Sequence, residues 1–301
     1  MGVGSRSPER SRHAYITLTF ASACRDDAAL YCEPTREAIV SWNTRTPSGE
    51  LYVQLLRAHQ PDGSWLPHAH WSTSGRHSFS AKDGDTVIET DVLRTQRPFD
   101  GVRIHAKDVT FDRVALATPL QNVPSNRAAK PPLDLRVPAR SQYVNEERGW
   151  CSPASLSMVH AFFGHDLDVA GTARAIFDSA YNGTGNWAFN VAFSGELGLQ
   201  GAVAYLRNLD HARAFLERGV PVILSYSWRD GELPGAPLDH SDGHVVVLRG
   251  FDGDGNALIN DPAHDAIRVT YPGEAIERIW LRNKGVSYII APPDIQLGSF
   301  F

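Results

Sequence analysis

Between residues 36 and 118 the apolar positions fall in short runs, rich in β-branched and aromatic residues, that turn formers interrupt. EAIVSWNT, LYVQLLRA, SWLPHAHW, DTVIETDVL, DGVRIHAKDV and DRVALAT are divided by signals such as Pro47-Ser48-Gly49, Pro61-Asp62-Gly63 and Asp83-Gly84-Asp85. Short strands at this spacing predict a small β-sandwich over 36–118. In GVRIHA, Val102, Ile104 and Ala106 share one face and Arg103 and His105 the other, so one face of that strand is expected to meet water.

The pattern changes after residue 118. PLQNVPSNRAAKPPLDLRVPAR (119–140) holds five prolines and little periodicity, which predicts an extended Pro-rich linker over about 119–134 and a second domain from about Leu135 to the end. Ser152-Pro153 suits a helix start, Ala154, Met158, Val159, Phe162 and Phe163 follow at helical spacing, and Gly164 ends the run. DVAGTARAIFDSAY and NLDHARAFLERG predict two more helices. PVILSYSW, GHVVVLRGF, NALINDP, AIRVTY and GVSYIIAP then predict strands. Helices first and antiparallel strands afterwards make this half an α+β domain.

Composition narrows the function. With 42% hydrophobic residues over 301 positions the chain has ample material for packed cores. Its formal charge of -5 and its lack of a Lys/Arg cluster argue against a nucleic-acid partner. Apolar runs such as Val245–Leu248 and Ile289–Ala291 are far short of the ~20 residues a membrane-spanning helix needs, so no transmembrane segment is expected. Residues 1–26 carry four arginines and the stretch AYITLTFASAC, readable as a leader or as a disordered start before a first strand. The compartment stays open, with a slight lean towards an extracytoplasmic or secreted protein. Cys24 and Cys32 could pair in an oxidising compartment, which would leave Cys151 as the unpaired cysteine of three.

Cys151, in RGWCSPASLSMVHAFFG, stands at the start of its helix, where free backbone N–H groups and the helix dipole favour an anion. That position lowers a thiol pKa and points to a nucleophile, which requires a base. His244 opens the apolar strand in SDGHVVVLRGF. The chain turns through DGDGN and returns as NALINDPA, bringing Asp261 back beside His244. An imidazole stands in this relation to the carboxylate that fixes its tautomer. Cys151, His244 and Asp261 are therefore the candidate catalytic residues.

SQYVNEERGWCSPAS, GNWAFNVAF, GVPVILSYSWRDGELPGAPLDHSDGHVVVLRGF and NALINDPA resemble, in order, motifs of the bacterial bacteriocin-processing cysteine peptidase-like family. The resemblance covers about residues 136–293 and implies a papain-like fold. It implies Cys151 as nucleophile, His244 as base, Asp261 as orienting carboxylate, and Gln142 as the side chain completing the oxyanion hole. The implied activity is cysteine peptidase chemistry through a thioester on a peptide or protein substrate, with no cofactor. The same triad also serves amidases and acyltransferases, and a domain without turnover could bind peptides or cell-wall material, with the sandwich as a surface-binding partner. Where the family commonly has glycine after the cysteine this chain has Ser152, whose side chain is expected to narrow the approach of the acyl group. The β-rich part also resembles, by pattern, the sandwich that precedes such domains in some secreted bacterial members.

Trp150 and Gly243 flank the nucleophile and the base. With Gly185, Asn186 and Trp187 of the YNGTGNW loop they form the expected substrate-binding set. ELPGAPLDHSDG is a candidate lid, and its His240 is the rival base. DGDGN starts like a calcium loop, but Ala257 and Ala263 stand where glycine and glutamate belong, so a plain turn is expected. His68 and His70 share a strand face without an evident third ligand, and no metal is expected. Trp42, Trp65 and Trp71 are expected to build the sandwich core and rim.

Overall fold

The computed structural model describes residues 18–24, 27–126, 129–144 and 149–300. The rest of the candidate leader therefore lies outside the described residues. The N-terminal half consists of strands β1 (Leu18–Cys24), β2 (Asp27–Asn43), β3 (Gly49–Arg57), β4 (Gln60–Ser72), β5 (Gly75–Ser78), β6 (Ala81–Asp83), β7 (Thr86–Glu89), β8 (Val92–Lys107) and β9 (Phe111–Ala117). They pair antiparallel as one sheet in the order β1-β9-β2-β8-β3-β4-β5, with β7 also on β8 and β6 on β7.

Where a two-sheet sandwich is expected, this half is an all-β unit built from one continuous sheet. Register shifts between Tyr31 and Glu37 break the pairing of β2 with β8. Bulges of this kind bend a strand and let a single sheet fold over its own core. Val102, Ile104 and Ala106 face inward with Trp42, Trp71 and Phe111, and Trp42 stacks on Trp71 at 5.5 Å. Trp65 lies at the rim under the Arg103 guanidinium, 4.8 Å from the ring centroid. DTVIETDVL is a hairpin and not one strand: Thr90 takes a positive φ of 58° and ends β7, and Asp91 is buried in the turn.

The C-terminal half begins with β10 (Leu133–Asp134), which pairs with β13. It continues through α1 (Cys151–Phe162), α2 (Val169–Ile176), α3 (Trp187–Glu196), β11 (Gln200–Tyr205), α4 (Leu209–Leu216), β12 (Val222–Trp228), β13 (Ser241–Phe251), β14 (Ala257–Asn260), β15 (Arg268–Tyr271), α5 (Gly273–Arg282) and β16 (Val286–Ala291). The antiparallel sheet runs β11-β16-β12-β13-β14-β15. Gly250 lets β10 cross β13 closely, since a Cβ there would sit 1.9 Å from the Leu133 carbonyl oxygen. Gly164 and Gly219 end α1 and α4, as expected. α2 stops at Ile176 because Phe177 turns extended, ahead of a buried Asp178 that binds backbone in both halves of the chain.

The two halves share their interior. Ile39, Val92, Ala115 and Ala117 of the β-unit lie in the core of the C-terminal half, while Ala188, Phe189 and Ala192 of α3 lie in the core of the β-unit. The face of β2 that carries Ser41 and Asn43 is covered here by the C-terminal half. Ser41 Oγ accepts the Val203 N–H at 3.2 Å, and Asn43 bonds the Val191 carbonyl at 3.1 Å and the Gly201 N–H at 3.0 Å. Gly195 allows α3 this approach, because a Cβ there would fall 2.7 Å from the Asn43 Cβ. Arg76 pairs with Glu196 at 2.5 Å across the same junction. Ser125 and Asn126 bond Glu277 and Asp210, so the Pro-rich segment is tied to the C-terminal half. Among the described residues no helix is long and apolar enough to cross a membrane.

Candidate active site

Cys151 is the first residue of α1, and Trp150, half-buried, holds the cap position. The helix is pinned to β13 next to His244, where the Ser155 hydroxyl donates to the Val245 carbonyl at 3.0 Å. β13 carries His244, and the charges of His244 and the Cys151 thiol act on one another. On the ring's other side Nε2 lies 2.8 Å from Asp261 Oδ1, which leaves Nδ1 for the thiol. Asp261 is fully buried, and its oxygens are otherwise taken by the Ala263 N–H at 3.0 Å and the Tyr271 hydroxyl at 2.8 Å.

The electrostatics favour a charged pair. Burial pushes the Cys151 thiol up, but the hydrogen bond and charge of His244, with the N–H groups of Val245 and Ser152, bring it below its ordinary value. Burial would lower the His244 pKa, but its hydrogen bonds to Asp261 and Cys151 and their charges raise it well above the usual imidazole range. Burial also opposes ionisation of Asp261; His244 and then Tyr271 outweigh it and hold the carboxyl below its ordinary value. Each charge lies against its opposite, which is how a buried ionic group escapes its desolvation cost.

The ring is enclosed on its outer side. Tyr226, opposite His244 on β12, and Trp228 meet it edge-on at 6.2 and 5.5 Å, and Trp228 Nε1 donates to the Leu238 carbonyl at 3.1 Å. This bond ties the candidate lid to the site. His240 in the same loop is exposed, whereas His244 is buried against both partners. Gln142 is buried. Its N–H donates to the Pro262 carbonyl at 2.9 Å, which seats it next to Asp261, and its Oε1 has no hydrogen-bond partner.

The remaining expected residues divide. Gly243 is exposed beside His244, with its N–H on Ser241 Oγ at 3.3 Å. Asn186 turns inward: Oδ1 caps α3 by accepting the Phe189 N–H at 3.0 Å, and Nδ2 donates to Asp178 at 2.9 Å. The Trp187 N–H donates to Asp91 of the β-unit at 2.6 Å, and Gly185 packs on Tyr181, whose hydroxyl would lie 2.9 Å from an added Cβ. Of these three, Trp187 joins the two halves directly, Asn186 does so through Asp178, which accepts the Ser78 N–H, and Gly185 packs within its own loop. Ser152 also points away from the cleft, into a buried cluster with Asn190 and Tyr288, so its side chain does not narrow the approach to Cys151. Tyr271, Tyr226 and Trp228 around the triad are not evident in the sequence beforehand. Only the position of Tyr226 and Trp228 on the strand that pairs with that of His244 could have suggested them.

Elsewhere, His68 is buried with Nε2 3.3 Å from the Val40 carbonyl, and burial lowers its pKa to about 4. Among the described residues no group of three or more His, Cys, Asp or Glu side chains is placed to hold a metal. Asp252 of DGDGN closes its own turn on the Asp254 and Asn256 N–H groups. Cys32 is a free thiol that burial pushes up to about 12.

The model of the Peptidase C39 like family matches residues 134–288, slightly more than half of the chain. A comparison with curated proteins finds no match. Among solved structures, one described as a C39-like peptidase from Bacillus anthracis is 17% identical, with 54% of this chain and 98% of the other covered and a TM-score of 0.41. A double glycine motif protease from an AMS/PCAT transporter, in complex with its leader peptide, is 24% identical, with 54% and 97% covered and a TM-score of 0.38.

Proposed function

Because the chain belongs to the Peptidase C39 like family, we propose that it is a cysteine peptidase that cleaves amide bonds through Cys151, His244 and Asp261. The observation that carries this reading is the buried His244–Asp261 pair, 2.8 Å apart, whose histidine acts with its charge on the Cys151 thiol at the start of α1. The thiol proton resides on His244, and Asp261 with Tyr271 behind it stabilises the imidazolium.

The Cys151 Sγ attacks the scissile carbonyl, forming a C–S bond and moving the carbonyl electron pair onto oxygen. The Gln142 side-chain amide and the Cys151 backbone N–H hold that oxyanion, each such donor supplying about 3 kcal/mol of barrier lowering. As the tetrahedral centre collapses the C–N bond breaks, and the imidazolium gives its proton to the departing amine. Water, deprotonated by the now neutral His244, then attacks the thioester, releasing a carboxylic acid and regenerating the thiol.

The test uses the full chain and p-nitrophenyl acetate as an acyl donor. The expected result is a burst of nitrophenolate equal to the Cys151 content, with an acetyl adduct on Cys151 by mass spectrometry and neither in Cys151→Ala. An added amine that captures the acetyl group in preference to water would reassign the protein as an acyltransferase. No burst and no adduct would overturn the reading.

A further inference from the structure

Helix α1 starts without help from its own sequence. Trp150 at the cap position makes no capping hydrogen bond, so no side chain at the helix start fixes the turn that carries the nucleophile. The turn is held from the side. Ser152 Oγ accepts the Asn190 Nδ2–H at 2.7 Å and lies 3.3 Å from the Tyr288 hydroxyl oxygen, to which Asn190 Nδ2 also donates at 3.0 Å. All three side chains are buried. Ser152 directly follows Cys151 in the first turn of α1, so holding it holds the backbone that carries the thiol.

Ser152 therefore ties two places together. Turning its hydroxyl out of the cluster would strand buried polar groups on α3 and β16, at about 1–3 kcal/mol each. Keeping those bonds therefore holds the first turn of α1, and Cys151 with it, in one position. The cluster is anchored as firmly as its helix: Phe189, next to Asn190, is buried in the β-unit core, and Asp91 of that unit holds the first N–H of α3.

We propose that Asn190 is a positioning residue for the nucleophile: acting through Ser152, with Tyr288 as its partner, it fixes Cys151 against His244. The inference rests on the peptidase reading of Cys151. It gives the serine that follows the cysteine a definite task in this chain, and it makes α3, held by the β-unit, part of the catalytic framework.

The test compares Asn190→Leu and Tyr288→Phe with Ser194→Ala in the full chain. Ser194 lies one turn further along α3, buried, with its hydroxyl 2.9 Å from His160 Nε2, so its loss leaves a buried polar group on α1 far from the first turn. For each variant the rate of Cys151 alkylation by iodoacetamide is followed from pH 4 to 9, together with kcat, KM and Tm. Asn190→Leu and Tyr288→Phe are expected to move the alkylation midpoint to higher pH and to lower kcat about 10- to 100-fold with KM unchanged. Ser194→Ala is expected to lower Tm with midpoint and kcat as in the unaltered protein. Should Asn190→Leu fail to fold, Tyr288→Phe, which removes one hydroxyl, carries the test. Unchanged midpoints in the first two variants, or equal shifts in all three, would overturn the positioning role while leaving the peptidase reading intact. If the unaltered chain shows no His244-dependent activation of Cys151, both readings fall.

Discussion

Nε2 of His244 lies 2.8 Å from Oδ1 of Asp261, and a bulged hairpin brings the two together. The pairing of Val247 with Asn260 puts Asp261 opposite Val246, two residues from His244 and on the same sheet face, while the irregularity between Leu248 and Gly250 takes up an extra residue on β13. A slip of one residue would turn Asp261 to the opposite face, so the hairpin register itself sets the His244–Asp261 pairing.

Asp261→Asn replaces the acceptor of the imidazole proton with a group that no longer offsets its charge. Hydrolysis is expected to fall about 10²- to 10⁴-fold, with Cys151 alkylation at neutral pH slowed in parallel. Steady-state kinetics beside alkylation rates checks this, and unaltered alkylation would show that Asp261 does not act through the thiol's base.

Tyr271→Phe removes the hydroxyl on Asp261 Oδ2 and should destabilise the protein by about 1–3 kcal/mol at neutral pH. The folded carboxyl has a lowered pKa, so its stabilisation is present above the ordinary carboxylate range and is lost as pH falls through the folded value. The difference between variant and parent should therefore shrink on acidification, as denaturant titrations at several pH values would reveal.

Gln142→Ala should lower kcat by about 10²- to 10³-fold with little change in KM. Gln142 Oε1 has no partner to lose, so Tm should change little. A fall in Tm matching the fall in activity would assign Gln142 a structural role in place of an oxyanion contact.

Asp91→Asn tests the junction. Burial chiefly, opposed by the Trp187 N–H and reinforced by the charge of Asp178, raises the Asp91 pKa to about 7. Between its ordinary pKa and about 7 the folded protein binds more protons than the unfolded chain, so stability falls as pH rises through that window. Tm is expected to drop between pH 4 and 7 in the parent and to lose much of that slope in the variant, whose amide oxygen can still accept the Trp187 N–H. Equal slopes would contradict this.

Much of this site is legible in the sequence because its parts sit on strongly patterned elements. The β-branched runs of β12 and β13 and the turn at Asp252–Asn256 place His244 and Asp261, and the apolar spacing after Cys151 marks α1. What escapes is buried on every side. α3 holds Ala188, Phe189, Val191 and Ala192 in two cores at once, and every residue of β11 is buried, so neither shows a periodic polar face. α5 is different: Ala275, Ile276, Ile279 and Trp280 keep helical spacing, and a reading of this region as strands alone passes over them. The inward turn of Ser152 is a tertiary choice that depends on partners 38 and 136 positions away, and no local pattern encodes it, whereas Asn186 bonds locally, as the cap of α3 and to Asp178.

The central claim is that Cys151 is a nucleophile activated by His244. Alkylation of the full chain with iodoacetamide from pH 4 to 9, with the modified residue mapped by mass spectrometry and repeated on His244→Ala, tests it most directly. The expected result is selective modification of Cys151 with a midpoint well below the ~8.5 of a free thiol, rates that hold while the imidazolium persists at higher pH, and a midpoint that moves up when His244 is removed. Labelling of Cys151 no faster than an ordinary thiol, or a profile that His244→Ala leaves unchanged, would contradict it.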